Sequence, residues 1–111
     1  MYSQGDIIVV KFPFTYGSEF KKRPALVISN NMVNHKEEYL IVQITSKINN
    51  DGLSISINES DCFNPLPIKS YIRPHKIFTV HHELILSKIT SVKPNFLNII
   101  VKKIYSLIKI D

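Results

Sequence analysis

One stretch gathers most of the polar chemistry this chain offers. Thr15 to Pro24 holds hydroxyls, one carboxylate (Glu19), two aromatics and the consecutive cations Lys21, Lys22 and Arg23. Arg23 stands directly before an apolar run, so its backbone is better fixed than that of a mid-loop residue. A guanidinium presents a planar fork of donors that matches pairs of phosphate oxygens. A second polar point, Thr45-Ser46-Lys47, closes another apolar run. Hydroxyls at a strand end ordinarily satisfy backbone groups; beside an arginine they can donate to a phosphate. If the two runs pair antiparallel, the start of one lies beside the end of the other, and Arg23 meets Thr45. The chemistry so assembled is phosphate recognition.

The elements that must position these residues are mostly strands. Asp6 to Phe12 is β-branched and apolar, and Pro13 ends it. Phe14 to Lys22 reads as a loop. Pro24 opens a second strand running to Ser29, a first position being one that tolerates proline. Tyr39 to Thr45 is a third strand. Asn49-Asn50-Asp51-Gly52 signals a turn, and Leu53 to Ile57 alternates as a strand with one wet face. Ser70 to Arg73 and Lys76 to Val80 are short strands separated by Pro74, and Leu86 to Val92 is another. Then the period changes: Leu97, Ile100, Val101, Ile104, Leu107 and Ile108 recur at helical spacing, with Asn95 as the expected N-cap. Short strands followed by one helix predict a β-rich α+β fold, a small antiparallel barrel with a packed C-terminal helix. No repeat or linker divides it, so residues 1–111 read as a single domain.

Composition narrows the setting. In 111 residues, 14 Lys and Arg face 9 Asp and Glu, a net charge of +5. A chain this size buries roughly 65% of its unfolded surface, enough for a core without disulfide or metal support. The single cysteine, Cys62, excludes an internal disulfide framework and a cysteine-built zinc site, and reads as a small buried hydrophobe. A reducing, cytoplasmic setting is the expectation. No apolar run exceeds four residues, against the about 20 that a membrane-spanning helix needs. Asp6 and Lys11 break the apolar start, which argues against a signal peptide. There are 12 Lys but only two Arg, Arg23 and Arg73. Where lysine serves every generic cationic role, a retained arginine hints at a need for the planar fork.

The common nucleotide, zinc-hydrolase and nucleophile-elbow motifs are absent. His81 and His82 would face opposite sides of a strand and chelate poorly, so neither a metal nor a cofactor is expected.

The ordered set of motifs resembles a known family. Gly5 to Phe14, then Gly17-Ser18-Glu19, Arg23-Pro24-Ala25-Leu26-Val27-Ile28, Ile44-Thr45-Ser46, Ser70-Tyr71-Ile72-Arg73-Pro74 and the closing helix Leu97 to Leu107 together look like the MazF/PemK toxins. The likeness covers most of the chain. It implies an SH3-like barrel that forms a homodimer, and sequence-selective, metal-independent cleavage of single-stranded RNA. It also implies a cognate antitoxin whose acidic tail occupies the RNA groove. The family's catalytic arginine falls on Arg23 and its catalytic hydroxyl on Thr45; its loop serine and glutamate fall on Ser18 and Glu19.

These residue types suit such a reaction. RNA cleaves itself when a 2′-hydroxyl attacks the adjacent phosphorus, leaving a cyclic phosphate and a 5′-hydroxyl. The protein must align the attack, stabilise charge on the phosphorane and move two protons. Arg23 suits the charge role. A guanidinium holds its proton too tightly to serve as a base, so Glu19 is the candidate for that role. Lys21, Lys22, Ser46 and Lys47 would flank the phosphate, Lys76 would line the groove, and Phe20 would stack on a splayed base. Arg73 reads as a strand or dimer anchor. Two rival readings are a same-fold toxin that binds DNA gyrase, as CcdB-type toxins do, and a silent SH3-like module that binds RNA or acidic protein.

Overall fold

The structure, a computed structural model, describes residues 1–12 and 20–111. Six strands form one antiparallel sheet: β1 (Asp6–Phe12), β2 (Lys21–Val27), β3 (Glu38–Thr45), β4 (Ile55–Ile57), β5 (Ser70–His81) and β6 (Ile85–Ser91). Their order across the sheet is β4-β5-β3-β2-β1-β6. The sheet curls into a half-barrel, with helix α2 (Pro94–Ile108) packed on it and a single helical turn, α1 (Asn31–Asn34), between β2 and β3. This is the β-rich α+β architecture expected above. Among the described residues no helix is long and apolar enough to cross a membrane.

Alternation along the strands splits the core in two. Ile7, Leu26, Val42, Ile44 and Ile72 face α2 and pack with Phe96, Ile100 and Ile104. Ile8, Val10, Ala25, Val27, Tyr39, Ile41 and Val80 pack on the other face. Successive side chains of a strand point to opposite faces, so both faces of this sheet read as apolar and each strand as an almost unbroken apolar run.

Three boundaries depart from the sequence reading. The strands expected on either side of Pro74 are one strand, β5. Gln43 pairs with Arg73 but the next residue back, Val42, pairs with Ile77. Pro74, His75 and Lys76 therefore bulge out of the ladder, and a bulge is where a proline without an N–H fits. The helix is capped at Lys93, not Asn95, because Pro94 takes the first helical position, where its missing N–H costs nothing. Its buried stripe is also narrower: Phe96, Ile100 and Ile104 are buried, Leu97 is half-buried, and Val101, Leu107 and Ile108 face outward.

The third departure builds the site. β2 starts at Lys21, so Pro24 lies inside it, opposite Val9 of β1. Ile28 donates to Leu40 of β3. By alternation, the N–H position of residue 24 also faces β3, and proline has none to give. The β2–β3 ladder accordingly ends at Ala25 and Gln43. Beyond it the two strands stay adjacent without being laced together.

One backbone feature makes a separate prediction. Glu37, just past α1, has φ 61°, a left-handed conformation that costs a side chain about 1–2 kcal/mol. Among the described residues its only ion pair is to His81 at 4.0 Å, between exposed groups. Glu37→Gly should therefore raise stability by about 0.5–1 kcal/mol after the entropy of the unfolded glycine is subtracted, readable in a urea titration.

Candidate nucleic-acid interface and active site

Extending the β2–β3 register by two residues from Ala25 and Gln43 sets Arg23 across from Thr45. Both are half-buried and both line the same depressions. One, of about 250 Å³, is polar and cationic: Arg23, Gln43, Thr45, Lys47, Asn49, Arg73 and Lys76. The other, also about 250 Å³, has apolar walls of Pro24, Ile44, Leu66, Pro67, Ile68 and Ile89, with Lys22, Ser46 and Ser70 among its polar residues. The Arg23–Thr45 step is the ridge the two share.

The two arginines differ in how they are held. Among the described residues the Arg23 side chain has no hydrogen-bond or ion-pair partner. Arg73 is buried and committed: Nη1 donates to Asp51 Oδ1 at 2.9 Å and to Ser54 Oγ at 2.7 Å, and Nη2 donates to Asp51 Oδ2 at 2.6 Å. Its role as an internal anchor follows from those bonds. Arg73 Nη2 also lies 3.4 Å from His75 Nε2. A guanidinium only donates, so Nε2 accepts and the imidazole proton sits on Nδ1. Burial, with the charges of Arg73 and Lys76, pushes the His75 pKa down, which keeps the ring neutral.

Thr45 is oriented by its own strand end. Its Oγ1 accepts the Lys47 N–H at 3.1 Å, and the Lys47 carbonyl accepts from Asn49 Nδ2 at 3.2 Å. With a lone pair spent on Lys47, the hydroxyl proton remains to be donated to a ligand.

The other expected residues fall as follows. Lys22, Ser46, Lys47 and Lys76 all line one of the two depressions. Lys21 is exposed opposite Phe12, at the start of β2. Phe20 is exposed, with Lys11 Nζ 5.1 Å from its ring centre. Ser18 and Glu19 lie outside the described residues. Gln43 and Asn49 were missed. Gln43 stands two residues before Thr45 on one strand, and that spacing alone puts the pair on one face.

Cys62 is buried, and that burial, with Asp61 beside it, raises its thiol pKa. His81 Nδ1 accepts from the Glu83 N–H, and His82 tilts against Tyr2. Among the described residues no three His, Cys, Asp or Glu side chains form a metal-ligand group.

The Asp51 carboxyl responds to its setting. The Arg73 guanidinium, and then the Leu53 N–H, hold it well below the usual carboxylate range. A depressed carboxyl adds stability that is complete above its unfolded value, about 4, and is lost as pH falls through the lower folded value. The stability gap between the native protein and Asp51→Asn should therefore stay level from pH 7 to about 4 and shrink only below, in melts run across that range.

Comparison with known proteins places this geometry in context. A model of the PemK-like, MazF-like toxins of type II toxin-antitoxin systems matches residues 3–108. No curated protein matches the sequence. Among solved structures, MazE-MazF (Form-III) from Deinococcus radiodurans is 15% identical with a TM-score of 0.80, over 99% of this chain and 98% of that one. An endoribonuclease in complex with its cognate antitoxin, from a mycobacterial species, is 20% identical with a TM-score of 0.76, over 96% and 93%. The Mycobacterium tuberculosis toxin MazF-mt6 is 14% identical with a TM-score of 0.74, over 96% and 98%. At these identities the likeness is one of fold.

Proposed function

As the chain belongs to the PemK-like, MazF-like toxin family of type II toxin-antitoxin systems, we propose that it cleaves single-stranded RNA without a metal ion, at the Arg23–Thr45 step. The observation that carries this reading is an arginine fork with no partner among the described residues, beside a hydroxyl that accepts from Lys47 and keeps its proton to donate, in a depression lined by Lys47 and Lys76. Those groups suit a phosphate and the extra charge it gains in reaction.

The reaction balances without a protein nucleophile. The RNA 2′-oxygen bonds to phosphorus and loses its proton to a base, for which Glu19 is the candidate. The P–O5′ bond breaks and the leaving oxygen takes a proton, a transfer assigned to Arg23 with return from solvent. Arg23 forks to the non-bridging oxygens, and Thr45 donates to the same group. Lys22 and Ser46 meet the strand on the other side of the ridge, and Lys21 and Phe20 extend the contact along β2.

The partners follow the same chemistry. The cations lining the depression suit an acidic antitoxin segment competing with RNA, as the mycobacterial relative is an endoribonuclease in complex with its cognate antitoxin. The outward apolar residues of α2, Val101, Tyr105 and Ile108, suit a homodimer contact.

The test is incubation of the purified protein with single-stranded RNA in EDTA. Fragments ending in a 2′,3′-cyclic phosphate and beginning with a 5′-hydroxyl are expected. Cleavage that requires a divalent ion would overturn the mechanism, and intact RNA with inhibited gyrase would favour the gyrase-binding reading.

A further inference from the structure

β3 and β4 are joined by nine residues, 46–54, leading into a strand of only three. So short a strand anchors such a connection weakly, yet the connection carries Lys47 and Asn49 into the cationic depression. What fastens it is the bidentate pair of Asp51 with the buried Arg73, with Ser54 on the same guanidinium. Arg73 itself is fixed by the sheet, opposite Gln43 and next to the Pro74 bulge. Gly52, at φ 78° with open space around it, supplies the turn that brings Asp51 and Ser54 to one cation.

The fastening continues toward the ridge. Asn49 Nδ2 holds the Lys47 carbonyl, and the Lys47 N–H holds Thr45 Oγ1. Thr45 is thereby kept in the rotamer that leaves its proton free. A connection released from Arg73 would let Lys47 move off, and the hydroxyl would rotate to find another partner.

We propose that Asp51, through Arg73, is a positioning residue for RNA cleavage: it fastens the 46–54 connection so that Lys47 orients the Thr45 hydroxyl. The proposal rests on the reading of Thr45 as a donor to the scissile phosphate. Asp51 touches no reacting atom. It acts through the two backbone links from Asp51 to Asn49 and from there through the hydrogen bonds to Lys47 and Thr45, the ion pair tying this exposed carboxylate to the buried Arg73 guanidinium.

The test is a double-mutant cycle in single-turnover cleavage at saturating enzyme, with Asp51→Asn, Thr45→Val and the double variant. Thr45→Val should slow the step by roughly 10²–10³. Asp51→Asn should slow it about tenfold, the scale of a small misplacement of a reacting group. The double variant should be within about twofold of Thr45→Val alone, because one residue works through the other. A residue that merely stabilised the fold would give losses that multiply. A second readout needs no RNA: the Lys47 amide should exchange with solvent at least about tenfold faster in Asp51→Asn. Wild-type cleavage by Asp51→Asn, multiplying losses, or an unchanged Lys47 amide would each overturn the proposal. Should Asp51→Asn melt below the assay temperature, Ser54→Ala, which removes one of the three bonds between the connection and Arg73, is read in the same two ways. Full activity of Thr45→Val would instead sink the functional reading, and the Lys47 amide would still report whether the fastening exists.

Discussion

Arg23→Ala should reduce single-turnover RNA cleavage by roughly 10²–10³ while leaving the melting temperature of the protein unchanged. The magnitude is that of one preorganised donor aimed at developing charge, about 2.7–4 kcal/mol. The unchanged stability follows because the Arg23 side chain makes no hydrogen bond or ion pair among the described residues, and its backbone pairing with Val10 survives truncation. Arg23→Lys should recover only part of the loss: lysine restores the charge but not the two parallel N–H bonds. Lys47→Ala and Lys76→Ala should behave differently, weakening RNA binding and lowering the slope of affinity against salt by about 0.7 each on a single strand. An Arg23→Ala protein retaining more than a tenth of native activity would remove the residue from the chemistry. The same loss accompanied by a lower melting temperature would mean that Arg23 supports the fold.

Ile100→Ala should be the most damaging of simple core truncations on the helix, at about 2–5 kcal/mol. Ile100 has no exposed surface and is the middle of the three buried helix residues, set among Ile7, Leu26, Val42 and Ile72 of the sheet. Removing three carbons leaves a cavity that the sheet, pinned on both sides by its ladders, cannot collapse to fill. Against a total stability of about 5–15 kcal/mol for a domain of this kind, the loss is a large share. Denaturant titration should show the midpoint fall with the slope kept. Lys102→Ala, on the exposed side of α2, should change stability by less than about 0.5 kcal/mol. A loss below 1 kcal/mol for Ile100→Ala would mean that α2 is not part of the cooperative unit.

Much of this was legible in the residues because short-range physics and long-range packing agree. β1 and β3 were marked by apolar, β-branched runs. The meeting of Arg23 and Thr45 followed from one assumption, that their strands pair antiparallel, and the register bears it out. What was not legible depended on partners distant in sequence. Pro74 reads locally as a break; only the bulge against Val42 and Gln43 lets β5 run through it. Pro24 reads as a strand opener, yet β1 pairs with β2 on both sides of it. Arg73 gave a hint of special use, but its partner Asp51 lies 22 positions away in a stretch that reads only as a turn. The outward turn of Val101, Leu107 and Ile108 could not be foreseen either, since a helical period tells which residues share a face and not how wide a groove the sheet offers.

The sheet order has a consequence for how the molecule comes into being. β1, which precedes the other five strands in the sequence, pairs on one side with β2, made soon after, and on the other with β6, residues 85–91. The β2–β3 pairing that brings Arg23 to Thr45 involves neighbours in sequence and can form early. Closing β1 against β6 must wait until residues 85–91 have been made, and α2, which seals the core beneath it, comes later still. Loop closure over such a separation is the slow kind of folding event. A growing chain can thus pair β2 with β3 before it holds the strand and helix that close the sheet around them.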